Sequence, residues 1–367
     1  MGDSEQKFVK QAFDSNWVAP LGPNVTGFEE GISKFLKEGS YVSALSSGTA
    51  ALHLALILLN VQPGDEVICQ SMTFSASANP IRYLRGIPVF IDSEKDTWNM
   101  APAILEDAVK DRIAKGKKPK AIIPVHLYGM PAKMNEIISI AGKYEIPVIE
   151  DAAEALGSSI NEKKCGTFGE MGILSFNGNK IITTSGGGAL VSKNEKYIKE
   201  ATFLATQARD PAPHYQHSQI GYNYRLSNIS AGIGRGQMEV LPQRIKQRRS
   251  NFSFYQKGLK DLPGISLLKE PEGFFSNRWL TTILVDPVKC GGITRENIRT
   301  GLERENIESR PLWKPMHLQP VFQKYPYYGN NISENLFTNG LCLPSGSNLT
   351  NEEMARVVKC IRSMIER

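Results

Sequence analysis

The sequence predicts an α/β protein whose mostly parallel, mixed sheet is sandwiched between helices. Two observations carry that prediction. Short apolar runs rich in Val and Ile alternate with helical segments through the first two thirds of the 367-residue chain. The runs are apolar on both faces, as strands are when crossover helices cover them on each side.

The elements follow in order. Residues 49–60, Ala and Leu almost throughout, predict a helix. Pro63-Gly64-Asp65 then turns into a strand at 66–69. Helix and strand alternate again at 77–84 and 87–91, at 102–114 and 121–125, and at 132–144 and 147–150. A long basic helix is predicted to begin near Val240-Leu241-Pro242 and to run toward Leu259. Strands at 265–268 and 280–285 and helices at 294–305 and 351–366 then read as a smaller α+β unit. The expected division is a large domain over 1–240 and a small one over 241–367.

Composition narrows the function. With 41% hydrophobic and 22% charged residues of both signs, the chain is not disordered. Its longest apolar stretch, 50–59, is interrupted by His53 and falls far short of a membrane span. The opening residues are polar and carry no signal-segment pattern, so a cytoplasmic protein is expected. The five cysteines are scattered without a CxxC pair, which points away from a disulfide framework or a zinc site and fits a reducing compartment. The net charge of +6 suits an anionic small substrate. The basic clusters at 115–120 and 244–249 lack interleaved aromatics and read as solvated surface, so neither nucleic acid nor membrane is expected as a partner.

Ligands of parallel sheets sit beyond the carboxyl ends of the strands, and four segments there carry chemistry. Ser46-Ser47-Gly48-Thr49-Ala50-Ala51 opens a helix, and the free amides of such a terminus favour a phosphate. Asp151 follows the apolar run Val148-Ile149-Glu150, where a carboxylate can pair with a protonated ring nitrogen. Lys180 ends Ser175-Phe176-Asn177-Gly178-Asn179-Lys180, placed where a lysine can form a Schiff base. Gly186-Gly187-Gly188 allows tight backbone approach but precedes no helix, unlike a dinucleotide fingerprint. Taken singly, each also fits a plainer role: an N-cap, a capping Asp, a surface lysine. Together, a phosphate cradle, an Asp and then a Lys are what pyridoxal phosphate needs.

At these residues the chain resembles the DegT/StrS family of nucleotide-sugar aminotransferases, of the aspartate-aminotransferase type (fold type I). The resemblance spans nearly the whole chain. It rests on the runs at 47–56, Thr73-Phe74-Ser75-Ala76-Ser77-Ala78-Asn79, Glu150-Asp151-Ala152-Ala153-Glu154-Ala155-Leu156-Gly157, the lysine segment above and Gly221-Tyr222-Asn223-Tyr224-Arg225-Leu226-Ser227. The runs at 177–188, 311–317 and 343–346 look most like bacterial enzymes of the bacillosamine route, which aminate C-4 of UDP-4-keto-6-deoxy-GlcNAc.

The resemblance implies roles. Lys180 would be the Schiff-base lysine and proton carrier; some relatives have His there and act as dehydratases. Asp151 would pair with the pyridine nitrogen. Gly48, Thr49 and Ser175 would hold the phosphate, and Phe74 would stack on the ring. Glu154, where many members carry Gln, would lie near the ring hydroxyl. Asn223 would reach the cofactor of a neighbouring subunit, implying a homodimer with shared sites. Asn16, Trp17, Ala19, Arg310 and His317 would meet the sugar nucleotide. His53 and His126, in apolar settings, read as structural. Members usually have an extended segment before the first helix, whereas here the helix is expected almost at Met1, as in a truncated chain.

The implied reaction takes an amino group from glutamate, releases 2-oxoglutarate, leaves pyridoxamine phosphate, and delivers the nitrogen to the UDP-linked ketone. The alternatives are a C-4 aminotransferase for GDP-4-keto-6-deoxymannose, a C-3 aminotransferase and, remotely, a non-catalytic regulator that binds pyridoxal phosphate.

Overall fold

The structure, a computed structural model, describes residues 1–366, so Arg367, the last residue of the expected small domain, lies outside the described residues. The large sheet runs Tyr41–Leu45, Gly188–Ser192, Met171–Ser175, Ile149–Asp151. Isolated parallel bridges, Ile122 to Val148 and Val125 to Asp151, carry it on. It continues through Ala121–Ile123, Glu66–Gln70, Ile87–Ile91 and the two-residue strand Tyr327–Tyr328. Gly188–Ser192 is antiparallel to both its neighbours, and the other ladders are parallel.

Helices cover both faces of this sheet. The helix Gly48–Leu58 packs Leu52, Ala55 and Leu56 against Phe90, Ile123, Ile149 and Ile173. On the opposite face, Pro102–Ala114 and Met134–Lys143 bring Leu105, Val109 and Ile137 onto Ile68, Val89 and Ile122. The alternation of Ile122 with Ile123, and of Val89 with Phe90, between the two clusters is the period-two pleat expressed as packing. Among the described residues no helix is long and apolar enough to cross a membrane.

Of the boundaries that differ from the sequence expectation, three bear on the site and the core. The helix expected over 77–84 is a 3₁₀ turn, Ser75–Ser77, followed by the short helix Asn79–Tyr83, because Pro80 belongs in a first turn and interrupts anything longer. The strand expected to stop at Glu150 includes Asp151. The long helix begins at Asn228, well before 240, with the Ser227 hydroxyl capping it.

Gly232, Gly234 and Gly236 lower the helix propensity of that first stretch, but packing requires them. A Cβ at 232 would lie 2.9 Å from Asn24 Nδ2, at 234 2.7 Å from the Phe28 ring, and at 236 2.6 Å from the Glu5 nitrogen. The absence of side chains lets the helices Glu5–Asp14 and Pro23–Leu36 cross the long helix at close range.

The far end of the long helix joins a second, antiparallel sheet, ordered Ile265–Leu267, Thr281–Val285, Gly340–Leu343, Arg310–Pro311. Tyr255 and Leu259 pack there with Ile298 and Leu302 of Arg295–Arg304 and with Met354, Val357 and Ile361 of Asn351–Ile365. We propose that the chain divides near 240, inside the long helix, into a large and a small body, with Tyr327–Tyr328 returning to the large one.

Gly188 holds the sheet to the helix that opens the site. A Cβ there would lie 2.3 Å from the Gly48 nitrogen and 2.3 Å from the Ser47 carbonyl carbon, atoms of fixed backbone. Gly188→Ala is expected to cost about 1–3 kcal/mol or more. Gly142→Ala, at an exposed helical position with open space around it, is expected to stabilise by up to ~1 kcal/mol. Urea unfolding of the two variants checks both signs.

Candidate active site

Beyond the carboxyl ends of the large sheet's strands, and walled on its far side by the second sheet, lies a cavity of about 1230 Å³. Gly48, Thr49, Phe74, Asp151, Glu154, Ser175, Lys180 and Arg310 all line it.

The start of Gly48–Leu58 opens onto one corner of the cavity. Ser47 Oγ accepts the Ala50 N–H at 3.0 Å, so the N–H groups of Gly48 and Thr49 stand ahead of the helix's own hydrogen bonds. Gly48 is glycine because Ser175 is beside it: a Cβ at 48 would lie 3.2 Å from Ser175 Cβ. The Ser175 hydroxyl therefore stands next to the helix terminus.

Successive side chains on a strand face opposite ways, which gives Glu150 and Asp151 different tasks. Glu150 is fully buried. One oxygen accepts the N–H groups of Phe168 and, at 2.8 Å, Gly169. The other accepts the Gly166 N–H at 2.8 Å and meets His126 Nε2 at 3.0 Å. His126 Nδ1 accepts the Ala132 N–H at 3.0 Å, so the ring's proton sits on Nε2 and is donated to Glu150. This histidine is structural, as its sequence setting implies. Asp151 turns to the cavity. Its Oδ2 accepts the Ser77 hydroxyl at 2.6 Å, Ser77 in turn lies 2.6 Å from the Thr73 hydroxyl, and Oδ1 accepts the Ala153 N–H at 3.2 Å. The carboxylate is thereby oriented and buried, with cavity in front of it.

Lys180 Nζ donates to Glu154 Oε1 at 3.1 Å, and the other oxygen of Glu154 accepts the Tyr128 N–H at 2.8 Å. Burial pushes the Glu154 carboxyl up to about 7, with Asp151 adding to the rise and Lys180 and the Tyr128 N–H opposing it. Phe74 exposes 57% of its surface into the cavity mouth, its ring 5.6 Å from Trp313. A ring this exposed is not core, and its face is open to the cavity.

Other expected site residues are not brought together here. Asn16, Trp17 and Ala19 are off the cavity lining. Asn228 holds their loop, its side-chain amide donating to the Trp17 carbonyl at 2.7 Å and its backbone N–H to that of Ala19 at 2.9 Å. Trp17 remains 47% exposed. Asn223 is also exposed and off the cavity. His317 is engaged elsewhere: Nδ1 meets the Ser71 hydroxyl at 2.7 Å, Nε2 meets Glu334 at 3.2 Å, and the ring stacks on Tyr327 at 3.6 Å. Arg310 alone of that group reaches the cavity, its guanidinium paired with Glu308 at 2.6 Å.

Sequence reading missed Trp279, Ser77 and Tyr128. Ser77 stands inside a quoted motif and only its role went unread. Trp279 comes from the second sheet's approach, distant in sequence from Lys180, and no local signal marks it.

The helix terminus, the oriented carboxylate and the lysine lie on one cavity, in the chain order that the resemblance implies. The chain belongs to the DegT/DnrJ/EryC1/StrS aminotransferase family. The family's profile matches residues 1–362. EpsN of Bacillus subtilis (strain 168), named as a pyridoxal phosphate-dependent aminotransferase, is 53% identical over 365 residues, covering 98% of this chain and 93% of EpsN. GDP-perosamine synthase of Escherichia coli O157:H7 is 36% identical over 359 residues, covering 97% and 94%. A DegT DnrJ EryC1 StrS aminotransferase from Brucella abortus superposes with a TM-score of 0.92 at 28% identity, over 99% of this chain and 96% of that one.

DegT-family aminotransferases use pyridoxal phosphate, and this chain is a fold type I aminotransferase of that kind. Its cavity fits the cofactor on independent grounds. The buried Asp151 carboxylate faces the cavity, matching a protonated ring nitrogen. The helix terminus has no Cβ at 48 to obstruct a phosphate, and a primary amine is within the same cavity.

Glu154 leaves a pH signature. Its carboxyl is raised from 4.5 in the unfolded chain to about 7. The folded state therefore keeps a proton that the unfolded state has released. Stability from this group is complete below pH 4.5 and is lost as pH rises through about 7. The titratable side chains facing Glu154 are Lys180, Asp151, Cys342 and Tyr128. The stability of the wild type relative to Glu154→Gln is expected to fall between pH 4.5 and 7 and to level above; urea midpoints of the cofactor-free proteins across that range check it.

Proposed function

We propose that this aminotransferase acts on a nucleotide-linked sugar, moving the amino group of glutamate to the C-4 ketone of UDP-4-keto-6-deoxy-GlcNAc. The reading rests on one arrangement. Lys180 and Asp151 face a cavity that continues past Trp313 to Arg310, room enough for a substrate much larger than an amino acid. The relatives named for sugar chemistry, such as the GDP-perosamine synthases at 33–36% identity, point to the same substrate class.

The residues divide the work. Pyridoxal phosphate supplies an electron-withdrawing ring that stabilises negative charge at the carbon bearing the transferred nitrogen. Asp151 keeps the ring nitrogen protonated, since a buried carboxylate already oriented by Ser77 favours a cationic partner. Gly48, Thr49 and Ser175 bind the phosphate, and Phe74 covers a ring face. Lys180 Nζ takes the proton from the donor's α-carbon and returns it in the opposite sense when the sugar ketone is aminated. Glu154 accepts a hydrogen bond from Lys180 between these steps. Arg310 meets the diphosphate, for which Glu308 is a weak, exposed competitor. Asn223, off the cavity of its own chain, would in this reading reach the cofactor of a second subunit in a homodimer, and Asn16, Trp17 and Ala19, also off the cavity, would meet the sugar nucleotide only if their loop closes toward it.

A second sugar is favoured by one observation: several curated relatives are GDP-perosamine synthases. GDP-4-keto-6-deoxymannose is therefore the competing acceptor.

The test is spectroscopic. Protein mixed with pyridoxal phosphate is expected to show a lysine-linked absorption band that Lys180→Ala lacks. Glutamate should discharge the band, and UDP-4-keto-6-deoxy-GlcNAc should restore it at least tenfold faster than the GDP sugar. Recovery with the GDP sugar alone would reassign the acceptor. A band indifferent to Lys180→Ala would remove Lys180 from the reaction.

A further inference from the structure

Lys180 has a second neighbour that the cofactor-binding roles leave unused. Its Nζ lies 4.1 Å from the centroid of the Trp279 ring, on the ring face, while Glu154 Oε1 is 3.1 Å away. Trp279 is almost wholly buried and is held at several points. Its Nε1–H donates to the carbonyl of Asn179, the residue before Lys180, at 2.8 Å. Its backbone N–H donates to Asn277 Oδ1 at 2.9 Å. Arg248 donates to its carbonyl at 2.6 Å. The ring therefore fixes the lysine's backbone with its edge and meets the lysine's amine with its face.

The two partners of the amine are also tied to each other. Asn277 Nδ2 donates to the carbonyls of Glu154 at 2.8 Å and Leu156 at 3.0 Å, and its backbone N–H donates to Ser158 Oγ at 2.9 Å. Asn277 thus joins the Trp279 segment to the Glu154 turn, so carboxylate and ring keep a fixed separation. Both attract an ammonium group, the carboxylate by charge and hydrogen bond and the indole by the negative face of its quadrupole.

We propose that Trp279 and Glu154 form a seat that holds the Lys180 amine in the ammonium form it reaches on taking a proton in the reaction, which makes Trp279 a positioning residue. The proposal rests on the reading of Lys180 as the cofactor-bearing lysine and proton carrier. The amine takes the proton as a neutral base; once protonated it is drawn to the carboxylate and the ring face. A flexible four-carbon side chain left free in a cavity this large would sample many rotamers. The seat confines it with its proton on Nζ, and leaving the seat is the event that delivers the proton.

The test separates the seat from the reading. Full-length protein without added cofactor is exposed at pH 8 to an acylating reagent, and acylation of Lys180 is timed by peptide mass spectrometry. A seated ammonium is a poor nucleophile. Glu154→Gln, which keeps the shape, and Trp279→Leu, which removes the face, should each acylate Lys180 at least threefold faster than wild type. Trp279→Phe, which keeps a ring face, should stay within twofold of wild type. Glu154→Gln reacting at the wild-type rate overturns the seat, and Trp279→Phe reacting as fast as Trp279→Leu overturns the role of the ring face. The lysine-linked band with pyridoxal phosphate is recorded on the same proteins. A normal band with unchanged acylation sinks the seat alone, and altered acylation without any band sinks the reading of Lys180 alone.

Discussion

The Glu150 carboxylate, wholly enclosed, is the point from which the site is built. A buried carboxylate is tolerable only when its lone pairs are matched, and this one accepts three backbone N–H groups and the His126 ring. Those four donors come from the 166–169 turn that leads into Met171–Ser175 and from the turn after Ala121–Ile123. One side chain thus fixes the ends of neighbouring strands. Its neighbour in sequence, Asp151, is set facing the other way by the pleat. His126 then orders the 126–132 turn through Ala132, and that turn supplies the Tyr128 N–H to Glu154, which in turn meets Lys180. Hydrogen bonds at either end of that turn, joined by its backbone, thus link a structural carboxylate to the Lys180 amine.

The large sheet and most of the site were legible in the sequence because their signals are local. Gly48, Asp151, Ser175 and Lys180 sit at strand ends or helix starts, where a few adjacent residues declare both the geometry and the chemistry. Trp279 was invisible for the opposite reason. Its function depends on the second sheet docking near Lys180, and nothing within its own segment records that contact. The early start of the long helix was obscured by Gly232, Gly234 and Gly236, whose weak helix propensity is overridden by close packing against Phe8, Asn24 and Phe28. His317 is a third case. Its type suits a ligand, but Ser71, Glu334 and the Tyr327 ring satisfy it internally.

The cavity belongs to neither sheet alone. Its reactive floor comes from strand ends of the large sheet, and Trp279, Arg310 and Trp313 come from segments attached to the small one. In the proposed reading the cofactor would be held at the ends of doubly covered strands, and the wall that would meet the acceptor stands on the smaller sheet. Chemistry common to a family can stay fixed on the first while acceptor preference varies on the second.

The strand Tyr327–Tyr328 has a consequence for how the chain is made. It pairs with Ile87–Ile91, with Phe90 donating to the Pro326 carbonyl at 2.8 Å and Asp92 to that of Tyr328 at 2.9 Å, and the Asp92 carboxylate then caps the N–H groups of Asn330, Ile332 and Ser333. During synthesis from the ribosome, the edge of Ile87–Ile91 is complete long before these residues emerge. Until then the nascent protein carries an open, apolar sheet edge, the feature that most readily recruits other chains. Protection of that edge thus waits until Tyr327 and Tyr328 have been made, and the interval before it is when shielding by other proteins would matter most.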